Sequence, residues 1–443
     1  MNHNVYSTLA EFEPENRALG TNLPTHTDRT VFSQPISVGA GKQAPNRLAC
    51  QAMEGCDGTA DGAPDALTLR RYDRFARGGA GTIWFEATAC CEQARANPRQ
   101  LWLHEKNADA FRRAVEAIRT AALQEHGHEV LLILQATHSG RYSKPNGVPE
   151  PIIAYNNPLF EGNAPLPRER IISDDDLDRT GEALIRTARL AQEVGFDGVD
   201  IKACHRYLNS ELLSAYHRSG RYGGSYENRT RLLRETVAGA KSACGGNFLV
   251  TSRLNVYDGF PYPYGFGVSP EGGLEFDPAE PIRLVRDLRD LGVSLLNITM
   301  GNPYVNPHVN RPFALGGYEA PEHPLVGVAR MLHGTAALKR AVPEMKFIAS
   351  GWSFLGAAAP AVASGFFHEG GFDLAGFGRT AFAYPQFAKD LMETGELKRE
   401  RLCLCCSKCS EIMRAGSTPG CVIRDKDVYL PLYREVLKGR DKR

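Results

Sequence analysis

Lys202, His205 and Tyr207 place an ammonium, an imidazole and a phenol in one short stretch, directly after the apolar run 198–203. A phenol with its ordinary pKa near 10 stays protonated at neutral pH, so Tyr207 can give a proton to a carbanion. Lys202 has two readings. It holds a carboxylate or enolate oxygen, or it pairs with Asp200 on the same strand face. A second set is Cys403, Cys406, Cys409 and Cys421, spaced C-x2-C-x2-C-x11-C. Three cysteines at two-residue gaps with a remote fourth suit a 4Fe–4S cube. Zinc sites favour two separated pairs, and zinc or no metal stays open as the alternative. Cys405 has no place in the spacing.

These residues need a frame. Apolar runs at 48–53, 82–86, 130–137, 198–203, 249–255, 295–299, 347–350 and 374–376 read as strands. Amphipathic patterns at 108–125, 174–194, 228–243, 281–291, 326–341 and 356–364 read as helices. Near-continuous apolar strands alternating with helices predict a parallel sheet, and eight such units predict an α/β fold, a closed (β/α)8 TIM barrel with chemistry at strand C-termini. An open doubly wound sheet is the alternative, but no Gly-x-Gly-x-x-Gly follows a strand. The expected division is an N-terminal extension (1–30), a barrel (31–395) and a cysteine-rich segment with a C-terminal tail (396–443). Residues 1–30 are polar without a clear period, and are read as packing on a neighbouring subunit or as a disordered tail. Long loops at 139–171 and 257–276 are expected on the substrate side. Tyr257, Phe260, Tyr262, Tyr264 and Phe266 are expected mostly to pack the second loop onto the barrel.

The 443 residues carry a formal net charge of +1, so there is no electrostatic case for nucleic acid or a membrane surface. No apolar run is long enough to span a bilayer, and the first twenty residues lack a signal-peptide pattern. Eleven cysteines without a secretory signal point to a reducing cytoplasm and to metal or redox chemistry.

The long form GFDGVDI…YL…YGGSYENR, within the stretch from Gly195 to Glu235, resembles the old yellow enzyme family of FMN-dependent oxidoreductases. The resemblance covers about Val31 to Cys421. It implies that Ala52-Met53-Glu54 lies along the flavin, with Ala52 in place of the usual proline. Glu54 stands where the family has a small or neutral residue. A carboxylate there disfavours anionic reduced flavin, so Glu54 is expected to point away or be paired. Ala87, in Glu86-Ala87-Thr88, would contact the ring, while Gln135 and Arg253 would bind its pyrimidine edge. Arginine in an apolar strand needs such a partner. Ser350-Gly351-Trp352 and Gly378-Arg379 resemble the paired phosphate loops after strands seven and eight. Tyr207 matches the proton donor to Cα, with hydride passing from flavin N5 to Cβ. Lys202 and His205 fall where the family grips the substrate carbonyl.

The cysteines narrow the resemblance to the branch with trimethylamine dehydrogenase and bacterial 2,4-dienoyl-CoA reductase, whose larger members continue into two dinucleotide-binding domains. This chain is expected to lack such an internal relay, so electrons are expected from NAD(P)H directly or from a separate redox protein. The expected activity is reduction of a C=C conjugated to a carbonyl or carboxylate in a small-molecule substrate, by a homo-oligomer. Amine dehydrogenation or demethylation, with the 257–266 aromatics caging a cation, and a pure electron-transfer subunit are the alternatives.

Overall fold

The structure is a computed structural model and describes residues 4–440. An antiparallel hairpin, β1 (Ile36–Gly39) and β2 (Lys42–Ala44), precedes eight parallel strands. These are β3 (Leu48–Cys50), β4 (Thr82–Ala89), β5 (Leu131–Thr137), β6 (Gly198–Ile201), β7 (Leu249–Asn255), β8 (Leu295–Thr299), β9 (Lys346–Ala349) and β10 (Leu374–Phe377). They pair in sequence order, and β10 closes on β3, so the TIM barrel expected from the eight apolar runs is the observed fold. The strands are buried almost end to end, because helices cover the outside and side chains fill the inside. The hairpin contributes Ile36, Val38 and Ala44 to a separate apolar cluster with Ala49, Trp84, Ile133, Leu249, Leu295 and Leu374.

Helices follow where the apolar period runs, with starts set by local chemistry. The helix Asp174–Glu193 opens on Ser173, whose hydroxyl accepts from the Asp176 amide, and three aspartates occupy its first turn. Both features satisfy the positive helix end.

Three differences from expectation have physical reasons. Residues 1–30 are not a tail along the described stretch. The helix Leu9–Ala18 buries Phe12, and the strip docks on its own barrel as Ala357 N–H donates to the Tyr6 carbonyl and His26 N–H to Ala361. Its anchors Tyr6, Phe12 and Leu23 are too sparse to show a period. The helix Ala66–Ala76, capped by Asp65, fills the first connection and was hidden because its buried face includes Thr68 and Arg71. The C-terminal helices Lys408–Arg414 and Lys426–Arg440 are tied down by Asp425, which takes a bidentate pair from Arg70 at 2.8 and 2.9 Å and a further contact from Arg74.

Candidate active site

At the C-terminal end of β6 the chain turns sharply. His205 (φ 64°) and Arg206 (φ 58°) are consecutive left-handed residues that are not glycine, each costing roughly 1–2 kcal/mol. Arg206 offsets that cost. Its fully buried guanidinium pairs with Asp258 at 2.9 Å and reaches the Tyr264 carbonyl at 3.2 Å and the faces of Phe160 and Phe260. The turn sets the Tyr207 ring in the interior, 1% exposed.

The Tyr207 hydroxyl lies 2.8 Å from Glu54 Oε1 and 2.9 Å from the Tyr304 hydroxyl. Burial, then Glu54 and Tyr304, push the phenol well above its ordinary value, so it is protonated across the neutral range. Glu54 is therefore paired, as its position required. Its other partner is Lys202, 3.5 Å away, whose ammonium also sits 3.6 Å from the centre of the Tyr207 ring.

Lys202 thus does not pair with Asp200, the second of its two sequence readings. It is 3% exposed and its charge is answered by Glu54. Asp200 is occupied elsewhere: it accepts from Trp84 Nε1 at 2.7 Å, Gln135 Nε2 at 2.6 Å and the Arg253 amide at 2.6 Å. Strand register explains this hub, since Gln135 and Asp200 are direct partners on β5 and β6. A carboxylate inside a barrel must be hydrogen-bonded from its walls.

His205 keeps Nε2 buried with no partner among the described residues. Burial, reinforced by Arg253 and Lys202, holds its pKa well below the usual range. It offers a neutral imidazole.

The residues read as flavin contacts fall into two groups. Arg253 donates Nη1 to the Ala52 carbonyl at 3.1 Å but leaves Nε buried and unpartnered. Arg379 donates Nη2 to the Pro312 carbonyl at 2.7 Å and leaves Nη1 buried and unpartnered. Gly351, at φ 106°, takes a left-handed turn after β9 that a side chain would strain, and Gly378 follows β10, the neighbouring strand. Orphaned cationic nitrogens in buried positions fit an anionic ligand, and FMN supplies both an electron-rich pyrimidine edge and a phosphate. Ala87 is buried on β4, and Met53 is partly buried beyond β3. In the second group, Ser350 Oγ donates to Ile298 and accepts from Gln51, and the Trp352 indole donates to Ala349. Those two side chains serve the barrel itself.

Sequence reasoning missed several supports. Glu86 on β4 binds Arg71 and accepts the Gly55 amide at 2.6 Å, while Arg71 also holds Asp57. This network anchors the segment that carries Glu54. Burial raises the Glu86 carboxyl to about 7 against the pull of Arg71. A glutamate inside an apolar strand was the available signal. Arg141, bound to Glu161 and Glu211, was masked by the irregular sequence of its loop.

A cavity of about 280 Å³ opens beside Glu54 and Tyr304, bounded by Cys56, Arg141, Tyr142 and Lys144, with Met413 and Arg414 from the C-terminal segment. The 257–266 aromatics are not among its walls. Tyr257, Phe260 and Phe266 are buried in loop packing instead. The cysteine segment lies beyond Arg379. Cys403, Cys405, Cys406, Cys409 and Cys421 line one small cavity with that arginine. Among the described residues no three ligating side chains converge as one metal ion requires.

A family model described as the NADH:flavin oxidoreductase / NADH oxidase family matches residues 31–265. The chain belongs to that family. It is a flavin-dependent oxidoreductase of the old yellow enzyme kind, a family that FMN and a nicotinamide coenzyme fit. An NADPH dehydrogenase of Geobacillus sp. (strain WCH70) is 28% identical over 277 residues, covering 61% of this chain and 73% of the relative. Among solved structures, a 2-naphthoyl-CoA reductase complex superposes with TM-score 0.74 at 20% identity over 92% of this chain. Histamine dehydrogenase from Rhizobium sp. 4-9 superposes with TM-score 0.68 at 18% identity over 90%. At such identities these two show a shared fold. This chain spans 58% and 53% of their lengths. Among the described residues no helix is long and apolar enough to cross a membrane.

Proposed function

We propose that this flavoenzyme reduces a C=C bond conjugated to a carbonyl or carboxylate, with Tyr207 as the acid. The observation that carries the reading is the Tyr207 hydroxyl, protonated at the barrel mouth and linked through Glu54 and Tyr304 to a cavity of about 280 Å³. A pure electron-transfer subunit needs no such cavity.

Bound FMN in its reduced form supplies the hydride that adds at Cβ. Arg253 and Gln135 would hold its pyrimidine edge, Ala52, Met53 and Ala87 would border its ring, and the backbone from Ser350 to Trp352 with Gly378 and Arg379 would hold its phosphate. His205, neutral with Nε2 free, grips the substrate oxygen as charge builds on it. Tyr207 gives its proton to Cα. Lys202 balances Glu54 and supports the Tyr207 ring, so its effect on substrate passes through those two residues.

Cys403, Cys406, Cys409 and Cys421 hold a 4Fe–4S cluster in this reading. A cube spreads its thiolates farther apart than one ion does, in keeping with cysteines that ring a cavity without converging. Arg379, with no carboxylate partner among the described residues, balances the cluster's negative charge. Cys405 is a structural residue: its carbonyl accepts the amides of Ala314 and Leu315. Electrons reach the site from NAD(P)H or from a separate redox protein.

A second reading has one observation in its favour. Tyr142 and Tyr304 lie 4.0 Å apart between ring centres and line the cavity with Glu54, an arrangement that also suits an amine cation. Anaerobic purification with an absorbance spectrum and metal analysis, then exposure of the flavin to a panel, tests both readings. Reoxidation of reduced flavin by enoates or enones supports the first. Reduction of oxidised flavin by methylamines, without any alkene response, replaces it with the second.

A further inference from the structure

Tyr207 is 1% exposed and does not line the cavity, whereas Glu54 and Tyr304 do. An acid used once per turnover must recover its proton, and Tyr207 has no direct path to water. A tyrosine hydroxyl owns one hydrogen. When Tyr207 directs its hydrogen at Glu54 Oε1, 2.8 Å away, the 2.9 Å contact with Tyr304 has Tyr304 as donor. Tyr304 is itself steered: its amide is held by Asn302 Oδ1 at 2.8 Å, and Asn302 Nδ2 also binds the hydroxyl of Tyr142, whose ring lies tilted against that of Tyr304.

We propose that Tyr304 is the route by which Tyr207 regains its proton from the cavity, and that Glu54 orients the Tyr207 hydroxyl for this exchange. The proposal rests on Tyr207 being the acid, as argued above. The enolate electron pair takes the Tyr207 proton, forming Cα–H and breaking Tyr207 O–H. The Tyr304 O–H bond then breaks as Tyr207 O–H re-forms, and a cavity water gives its proton to Tyr304, leaving hydroxide to disperse into solvent. Both phenols are neutral again, and no further reductant is consumed. The charged and titratable groups facing Glu54 are Lys202, Tyr207, Tyr304 and Cys56, with Arg141 and Arg414 on the other walls.

Two measurements test the inference on the holoenzyme. In Tyr304→Phe, the first turnover of pre-reduced enzyme with limiting alkene draws on the proton Tyr207 already holds, so it sets that variant's own reference rate. Turnover with excess alkene, under chemical reductant in excess, should slow roughly a hundredfold against that reference, the low end of a proton-transfer contribution. Later turnovers at the wild-type rate overturn the proposal, as does an equal slowing of the first turnover, which marks a structural role. Independently of turnover, tyrosine labelled with 13C at the phenol carbon reports ionisation by NMR, with the Tyr207 signal assigned by its loss in Tyr207→Phe. Glu54→Gln removes the charge beside that phenol, so phenolate should form at lower pH by at least one unit, roughly the effect of one adjacent charge. An unmoved titration overturns the role given to Glu54. If Tyr207→Phe itself keeps the wild-type rate, the assignment of the acid fails. If Tyr207→Phe is slow and Tyr304→Phe passes every turnover unimpaired, only the relay fails.

Discussion

The barrel mouth and the cysteine segment handle charge in opposite ways. At the mouth, Lys202 meets Glu54, Arg206 meets Asp258, Arg141 meets Glu161 and Glu211, and Arg71 meets Asp57 and Glu86. Each of these cations is answered by the chain, so the geometry of Tyr207 is set before any ligand arrives. Around the cysteines, Arg379 is buried among thiols with a carbonyl as its hydrogen-bond acceptor and one nitrogen unpartnered. A charge left in that state calls for an anionic group from outside the chain. The contrast separates a preformed acid site from a site that a bound group completes.

The largest expected effect breaks the comparison at its weaker side. Cys406→Ser should abolish the iron content, about four per chain in anaerobic wild type as a 4Fe–4S formula requires. Cys405→Ser should keep it. Stoichiometric zinc without iron, measured by metal analysis, contradicts the assignment. At the mouth, Tyr207→Phe should slow alkene-driven reoxidation by roughly 10²–10⁴-fold while flavin content and its reduction by nicotinamide stay unchanged. Stopped-flow measurement of the two half-reactions separates these steps.

A stability measurement sharpens the contrast further. His138, just beyond β5, is held down to about 4 by burial, from an ordinary 6.5. The unfolded chain therefore takes up the proton first. This contribution is complete above about pH 6.5 and is lost as the pH falls toward 4, by up to about 3 kcal/mol, because one pKa unit is worth about 1.4 kcal/mol. Denaturant melts at pH 7 and 4.5 should show that loss in wild type and much less of it in His138→Asn. The smallest effect belongs to Arg379→Ala. Losing hydrogen bonds from a charged donor costs about 1.5–3 kcal/mol, which should appear as weaker FMN retention on gel filtration. Full retention would remove Arg379 from the phosphate site.

All eight barrel strands were legible because a buried parallel strand must be apolar along its whole length. Gln135 and Arg253 stood out as candidates because they are polar residues within apolar strands, and Tyr207 because it follows one. Partnerships were harder to read. Asp200 on β6 and Lys202 just past its end lie two apart, yet Asp200 is claimed by Trp84 and Gln135 from β4 and β5, and Lys202 reaches Glu54 beyond β3. Sequence spacing shows which face a residue occupies, but strand tilt and register decide what it meets across the barrel. The hairpin β1–β2 and the helix Ala66–Ala76 escaped for a related reason. One is a short element with a partly exposed pattern, and the other buries a threonine and an arginine that read as polar surface.

The central claim is that reduced flavin and Tyr207 together saturate an activated alkene. Its most direct test is a single turnover of pre-reduced wild-type enzyme with an enoate or enone in deuterated water. The account predicts stoichiometric flavin reoxidation and a saturated product with one deuterium at Cα, with any label at Cβ limited to the share of flavin N5–H that has exchanged with solvent. Flavin that stays reduced in the presence of every alkene, or a product without deuterium at Cα, would contradict it.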